Sequence, residues 1–290
     1  MQAYQDIVRH VLAHGVRKPN RTGVDTLSSF HLSYLIPVHP GFPLLTTKRI
    51  DWTNIVVENL WFLSGEPTIR LLRKHGCRFW EPWADSEGRV PSAYGNLWRE
   101  FPGHGGRVDQ IAWVVAELRR NPTSRRLVVS AWAPENAHPS ALPPCHFTFV
   151  LNVQSGVDGT PCLNLHVTQR SCDIALGLPY NIAGYALLLH LLAAWSGLAP
   201  GTMGHTLVDA HIYTAKPDGS MRRYDHIPGL RRQLARTPRP LPRLKLSEQV
   251  RSFEGLGALL REDPDTGGLM RHFRLDGYDP APAIRFRVAV

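Results

Sequence analysis

The sequence predicts an α+β fold, a single domain in which a large β-sheet packs with helices, and three observations predict it. Leu163, Leu165 and Val167 alternate with Asn164, His166 and Thr168, the period of a strand with one buried face. Residues 53–63 and 182–199 are apolar around most of a helical circumference, as helices enclosed by protein are. No repeat, low-complexity tract or convincing linker divides the 290 residues, so the domain spans 1–290.

Taken in order, Tyr4, Ile7, Val8, Val11 and Leu12 recur at helical spacing, and Gly15 stands where that helix stops. Asn20-Arg21-Thr22-Gly23 is a polar turn whose arginine can reach an anion bidentately. Leu27 to Ile36 has strand character, and Gly41-Phe42-Pro43 breaks the pattern before Thr46-Thr47-Lys48-Arg49. The helix over 53–63 carries Glu58 inside its apolar run and ends at Ser64-Gly65. Phe79, Trp80, Trp83 and Tyr94 form an aromatic cluster, which is usually core and is also what a flat heteroaromatic ligand stacks against. Val108 to Leu118 make a further helical face, and Leu127 to Trp132 read as a buried strand entered through Arg125-Arg126. The apolar run after Cys145 is a strand, Gly156 to Gly159 its hairpin turn, and the next strand ends in Gln169-Arg170-Ser171-Cys172-Asp173. Gly177 to Asn181 leads into the long apolar helix, and Asp209 to Tyr213 is a short strand followed by a turn at Lys216 to Gly219. Three or four helices in all are expected.

The net charge of +9 comes mostly from arginines spread along the chain, which suits anionic small molecules and leaves a nucleic-acid surface open. Four cysteines without a Cys-x-x-Cys pair, and no secretory leader, predict reduced thiols in the cytoplasm. His190, Trp195 and Ser196 interrupt the apolar stretch 182–199, so it is expected to be a buried helix and not a membrane span.

Chemistry concentrates at Leu142-Pro143-Pro144-Cys145-His146. Two prolines restrict the backbone and present Cys145 as a nucleophile with little freedom. A thiol of ordinary pKa, roughly 8.5, needs neighbouring positive charge. In sequence Arg125, Arg126 and Arg170 bracket the turn, and His146 adjoins it. Glu58, enclosed by apolar neighbours, is a carboxyl whose pKa burial raises toward the range useful for proton transfer. Asn181 is either a helix-start residue or a base reader, because its amide offers a donor beside an acceptor, matching O4 and N3–H of a uracil.

Together the motifs resemble thymidylate synthase nearly end to end. The resemblance rests on Arg21-Thr22-Gly23, Thr46-Thr47-Lys48-Arg49, Glu58, Trp80, Tyr94-Gly95, Ser124-Arg125-Arg126, Pro144-Cys145-His146, Gln169-Arg170-Ser171-Cys172-Asp173, Gly177-Leu178-Pro179-Tyr180-Asn181, Asp209-Ala210-His211-Ile212-Tyr213 and Gly277-Tyr278-Asp279-Pro280. It implies that Cys145 adds to C6 of dUMP and that 5,10-methylenetetrahydrofolate, as co-substrate, supplies the carbon for C5, with no metal. Glu58, Tyr94, His146 and ordered water would manage protons, and Asn181 would select uracil. Arg21, Arg170, Ser171 and Gln169 would hold the nucleotide, Arg170 also stabilising the thiolate, with His211 and Tyr213 on the 3′-hydroxyl. Arg125 and Arg126 would reach the phosphate in the other subunit of a homodimer joined through a sheet face. Trp80, Leu142, Leu176 and Asp173 would line the folate site, Lys48 would meet its glutamate tail, and the terminal Val290 would help close the lid.

The chain departs from the family pattern at Ala133, Tyr180, Gly184 and Ala281, where Asn, Phe, Ser and His are usual. An insertion follows Tyr213, with His226 as the displaced equivalent of a missing Asn-His pair, and a further expansion lies between Val250 and His272. Two alternatives stay open. A pyrimidine-nucleotide hydroxymethylase would use the same nucleophile and let water attack the exocyclic methylene. An RNA-binding regulatory homologue, motivated by the charge, would have no need of Glu58, Cys145 and Asn181 together.

Overall fold

A computed structural model describes residues 1–137 and 140–289. The strands are β1 (Val16–Lys18), β2 (Asp25–Pro37), β3 (Phe101–Gly103), β4 (Gly106–Val108), β5 (Val128–Ser130), β6 (His146–Ser155), β7 (Pro161–Gln169), β8 (Cys172–Asp173), β9 (Ala199–Thr214), β10 (Arg243–Leu246) and β11 (Phe273–Asp276). The helices are α1 (Gln2–His14), α2 (Trp52–Ser64), α3 (Arg70–Lys74), α4 (Tyr94–Glu100), α5 (Gln110–Arg120), α6 (Pro134–Ala137), α7 (Gly177–Ser196), α8 (Ile227–Leu234), α9 (Phe253–Glu262) and α10 (Thr266–Met270).

The main sheet runs β1-β2-β9-β7-β6-β5, with β8 also paired to β9. β7 and β8 lie parallel to β9 and the other pairs are antiparallel, so the sheet is mixed. Alternation decides its two faces. Phe149 and Leu151 of β6, and Leu163, Leu165 and Val167 of β7, are buried under helices, while Val150 and His166 point the other way and are exposed. That second face carries Val150 and Val128, and Phe30 on β2 is 83% exposed.

Two helices fix the site. α2 starts at Asp51, whose carboxylate accepts the Asn54 N–H at 3.2 Å, and ends at Gly65 with φ 70°, a conformation glycine adopts without strain. α7 is apolar all round and lies within the protein, as a helix enclosed by core must. The β6–β7 turn closes by Gly156 N–H to Thr160 O at 2.8 Å, with Gly159 at φ 82°.

Three expectations are corrected. The strand expected over 127–132 is only Val128–Ser130, because Trp132 turns out of the ladder and its N–H goes to Ser130 Oγ. Asp209 to Tyr213 is the end of the 16-residue β9, whose N-terminal half is rich in glycine and therefore weak as a strand signal. Ten α-helices occur among the described residues where three or four were expected. The surplus is short, and the expansion after Val250 contributes α9 and α10.

Candidate active site

The ends of β6, β7 and β9 and the start of α7 open on one cleft of about 860 Å³, large enough for a nucleotide and part of a second ligand. Cys145 lies on its wall, immediately before β6. The prolines do not hold the turn alone. Arg170 Nε donates to Pro144 O at 2.9 Å and Nη2 to Pro143 O at 2.7 Å, while the Arg170 N–H donates to Cys145 O at 2.8 Å. The guanidinium thus clamps the turn from beneath and sits 3.8 Å from Cys145 Sγ.

Burial pushes the Cys145 thiol up, and Arg170 and Arg21 pull it back down. Of the arginines that bracket the turn in sequence, Arg170 is the one beside the thiol, and Arg21 joins it. Arg125 and Arg126 are exposed and do not line the cleft. His146 is buried, and burial lowers its pKa to about 3, so it is a neutral ring at physiological pH. Its Nδ1 lies 2.7 Å from the Tyr185 hydroxyl, and Tyr94 stacks on it at 3.6 Å between ring centroids. The Tyr94 hydroxyl accepts the Cys145 N–H at 3.0 Å, which ties this aromatic stack to the nucleophile's backbone.

Glu58 faces the same cleft from α2. Burial raises its pKa from an ordinary 4.5 to about 7, and the indole N–H of Trp80, 2.8 Å from Oε1, opposes the rise by favouring the carboxylate. A carboxyl poised there can give or take a proton at neutral pH. Behind it is a second cavity of about 20 Å³, lined by Glu58, Asn59, His146, Asn181 and Gly184 among others, roomy enough for one water. Trp80→Phe removes the indole donor while keeping an aromatic wall. It is expected to move the Glu58 limb of the kcat/KM profile to higher pH, because the carboxylate loses its hydrogen bond; an unmoved limb assigns that limb to another group.

Asn181 is not a helix cap. It is the fifth residue of α7, inside the helix, and its Oδ1 accepts Gln169 Nε2 at 3.1 Å. Arg21, Ser171, Asp173, His211 and Tyr213 also line the cleft, as do Trp80, Leu142 and Leu176. Asp173 Oδ1 accepts the N–H groups of Ala175 and Leu176 at 2.8 and 3.1 Å, which shapes the entry to α7.

Lys48 differs from expectation. It is buried, its Nζ donates to Ala175 O at 2.6 Å and lies 4.7 Å from the centre of the Phe286 ring, and it does not line the cleft. In this arrangement it packs beneath Phe286 of the C-terminal segment and away from the cleft mouth. Val290 lies outside the described residues, although Val288 and Ala289 do line the cleft. His226 joins the end of β9 to that segment, its N–H donating to Tyr213 O at 3.0 Å and its Nε2 lying 2.8 Å from Arg287 O.

Two residues here were given no role from the sequence. Tyr185, which holds His146, was one apolar-run residue among many. Asp209, quoted only as part of a motif, lies 2.5 Å from Lys18 Nζ, accepts Ser28 Oγ at 2.6 Å and has Oδ1 3.6 Å from His211 Nδ1; Lys18 and Ser28 are far from it in sequence.

The thymidylate synthase family model matches residues 2–290. The chain belongs to the thymidylate synthase family. A thymidylate synthase of Haloferax volcanii is similar to it at 39% identity over 349 aligned residues, covering 98% of this chain and 95% of the relative. Both findings bear out the resemblance, and with it a thymidylate synthase-type methyltransferase that makes dTMP from dUMP. Neither favours the hydroxymethylase or the RNA-binding alternative. Thymidylate synthases use methylenetetrahydrofolate as co-substrate, and the cleft's aromatic wall at Trp80 and Trp83 is chemically fitted to a pterin-like ring. Among the family departures, Gly184 borders the small cavity behind Glu58, and Ala281 keeps a backbone role, its N–H donating to Thr46 O at 2.8 Å.

Proposed function

We propose that Cys145 is the nucleophile of dUMP methylation and that the surrounding side chains divide the remaining work. The observation that carries this reading is the Arg170 clamp, which holds the Cys145 turn and sets a cation 3.8 Å from Sγ in the same cleft as Glu58 and Asn181. Cys145 thiolate adds to C6 of the uracil, so that electron density gathers at C5 and O4. Asn181, with Gln169 beside it, faces O4 and N3–H, and Arg21, Arg170 and Ser171 hold the phosphate end, with His211 and Tyr213 on the 3′-hydroxyl. When bound, 5,10-methylenetetrahydrofolate supplies the carbon and then the hydride. Glu58, assisted by Tyr94, neutral His146 and water, moves protons at O4 and C5. Leaving Cys145 by elimination completes dTMP. No metal enters this reading.

Trp80, Leu142, Leu176 and Asp173 form the folate side, and Trp80 screens the exocyclic methylene from water, so hydride arrives first and methyl is the product. The exposed apolar residues of the sheet's outer face support a homodimer joined there, and exposure of Arg125 and Arg126 leaves them free to enter the other subunit's site. The reaction of dUMP with methylenetetrahydrofolate, followed by mass spectrometry, tests the whole reading. The expected products are dTMP and dihydrofolate, and a dominant hydroxymethyl nucleotide with tetrahydrofolate would overturn methylation.

Base choice has its own test. Asn181→Asp is expected to shift preference from dUMP toward dCMP by about tenfold or more, because a protonated carboxyl suits the amino-pyrimidine edge. Competition between the two nucleotides measures it, and unchanged selectivity removes Asn181 from base recognition.

A further inference from the structure

Behind Asn181, on the helix-covered face of the sheet, three polar side chains form a single line. Tyr34 on β2 and His205 on β9 are direct cross-strand partners, and Gln169 on β7 lies two residues beyond Val167, which pairs with His205 from the other side. The Tyr34 hydroxyl is 2.6 Å from His205 Nδ1, His205 Nε2 is 3.0 Å from Gln169 Oε1, and Gln169 Nε2 is 3.1 Å from Asn181 Oδ1. His205 is 0% exposed among the apolar side chains Met203 and Leu207.

The polarity of this line follows from the way the Gln169 amide faces. Gln169 Oε1 can only accept, so His205 Nε2 carries the proton; Nδ1 is then the acceptor, and Tyr34 donates to it. Gln169 Nε2, a donor only, meets Asn181 Oδ1. In this arrangement each member satisfies both neighbours, and turning the Gln169 amide alone would set donor against donor at His205 and leave buried groups unpaired, so the four side chains hold their orientation together.

We propose that Tyr34 and His205 are positioning residues that, through Gln169, fix which way the Asn181 amide faces and so set discrimination between the uracil and cytosine edges. The inference rests on the reading of Asn181 as base reader. With Oδ1 held by Gln169, the Nδ2 donors are turned toward the carbonyl at position 4 of a uracil. An amide released from the line can rotate and offer its oxygen to the amino group of a cytosine. Neither Tyr34 nor His205 lines the substrate cleft, so each acts only through Gln169.

The test uses the full-length chain and compares binding of dUMP, dCMP and deoxyribose 5-phosphate by calorimetry. Tyr34→Phe removes the terminal donor with no loss of ring volume. His205→Asn places an acceptor near Nδ1 and loses the donor to Gln169, whereas His205→Gln extends an amide N–H toward the position of Nε2 and restores it. Tyr34→Phe and His205→Asn are expected to lower the dUMP preference over dCMP about tenfold with deoxyribose 5-phosphate binding unchanged, and His205→Gln to stay within about twofold of the unaltered chain. Tyr34→Phe covers the case in which His205→Asn fails to fold. An unchanged preference in Tyr34→Phe, or equal losses in His205→Gln and His205→Asn, would overturn the relay while leaving Asn181 as base reader. An unaltered chain with no preference for dUMP would remove that reading and the relay with it.

Discussion

Cys145→Ser is expected to lower turnover of dUMP by more than about a thousandfold while leaving dUMP affinity within about threefold, because the alcohol is a far weaker nucleophile and the phosphate and sugar contacts do not involve the sulfur. The serine hydroxyl occupies the same turn, and the Arg170 clamp holds Pro143 O, Pro144 O and the Cys145 carbonyl without using Sγ as its main partner. Structure at the turn should therefore survive the change. Single-turnover kinetics with excess enzyme measure the chemical step directly, and binding of dUMP by calorimetry measures the rest. Substantial single-turnover activity in the variant would assign nucleophilic attack to another group.

Glu58→Gln is expected to cost about a hundredfold to ten-thousandfold in kcat, the range for loss of a positioned proton carrier. Its effect on stability has the opposite sign, and the pH dependence says why. The folded state raises the Glu58 pKa from 4.5 to about 7, so folding favours the protonated carboxyl. That favourable contribution is full below about pH 4.5 and is lost as pH rises through about 7. Above that range the wild-type protein holds a buried carboxylate, whereas glutamine carries no charge and still accepts the Trp80 N–H. The variant is thus expected to gain up to roughly 3 kcal/mol at pH 8 and nothing near pH 4. Denaturant unfolding at the two pH values checks it. A variant equally stable at pH 8, or less stable, would mean that water or a hidden cation already compensates Glu58.

The parts of this molecule that the sequence disclosed are those where chemistry or periodicity is local. The alternation in β7, the apolar circumference of α2 and α7, and the double-proline turn before Cys145 each carry their signal within a few residues. Glu58 could be singled out because a carboxyl amid Ile55, Val56, Val57 and Leu60 contradicts its surroundings. What sequence position could not provide was which of the nominated charges reaches Cys145; among them Arg170 does. Adjacency nominated His146 and bracketing nominated Arg125 and Arg126 beside Arg170, but burial keeps His146 neutral and the exposed loop before β5 carries Arg125 and Arg126 away from the cleft. The partners of Asn181 were equally hidden, since Tyr34, Gln169 and His205 come from three strands and meet only through the register of β2, β9 and β7. Lys48 shows the converse. Its motif placed it at a ligand, whereas the fold seats it under the C-terminal segment against Ala175 and Phe286.

The covalent bond between Cys145 and C6 of the pyrimidine is the centre of the account. A dUMP analogue with fluorine at C5 tests it, because fluorine cannot leave that carbon as a cation and the reaction stalls after the one-carbon unit has joined. The enzyme is incubated with the analogue and methylenetetrahydrofolate, denatured, digested and mapped by mass spectrometry. The account predicts nucleotide and folate masses together on the peptide that contains Cys145, and their absence from Cys145→Ser. An adduct on Cys162, Cys172 or any other residue, or none in a preparation that turns over dUMP, would contradict it.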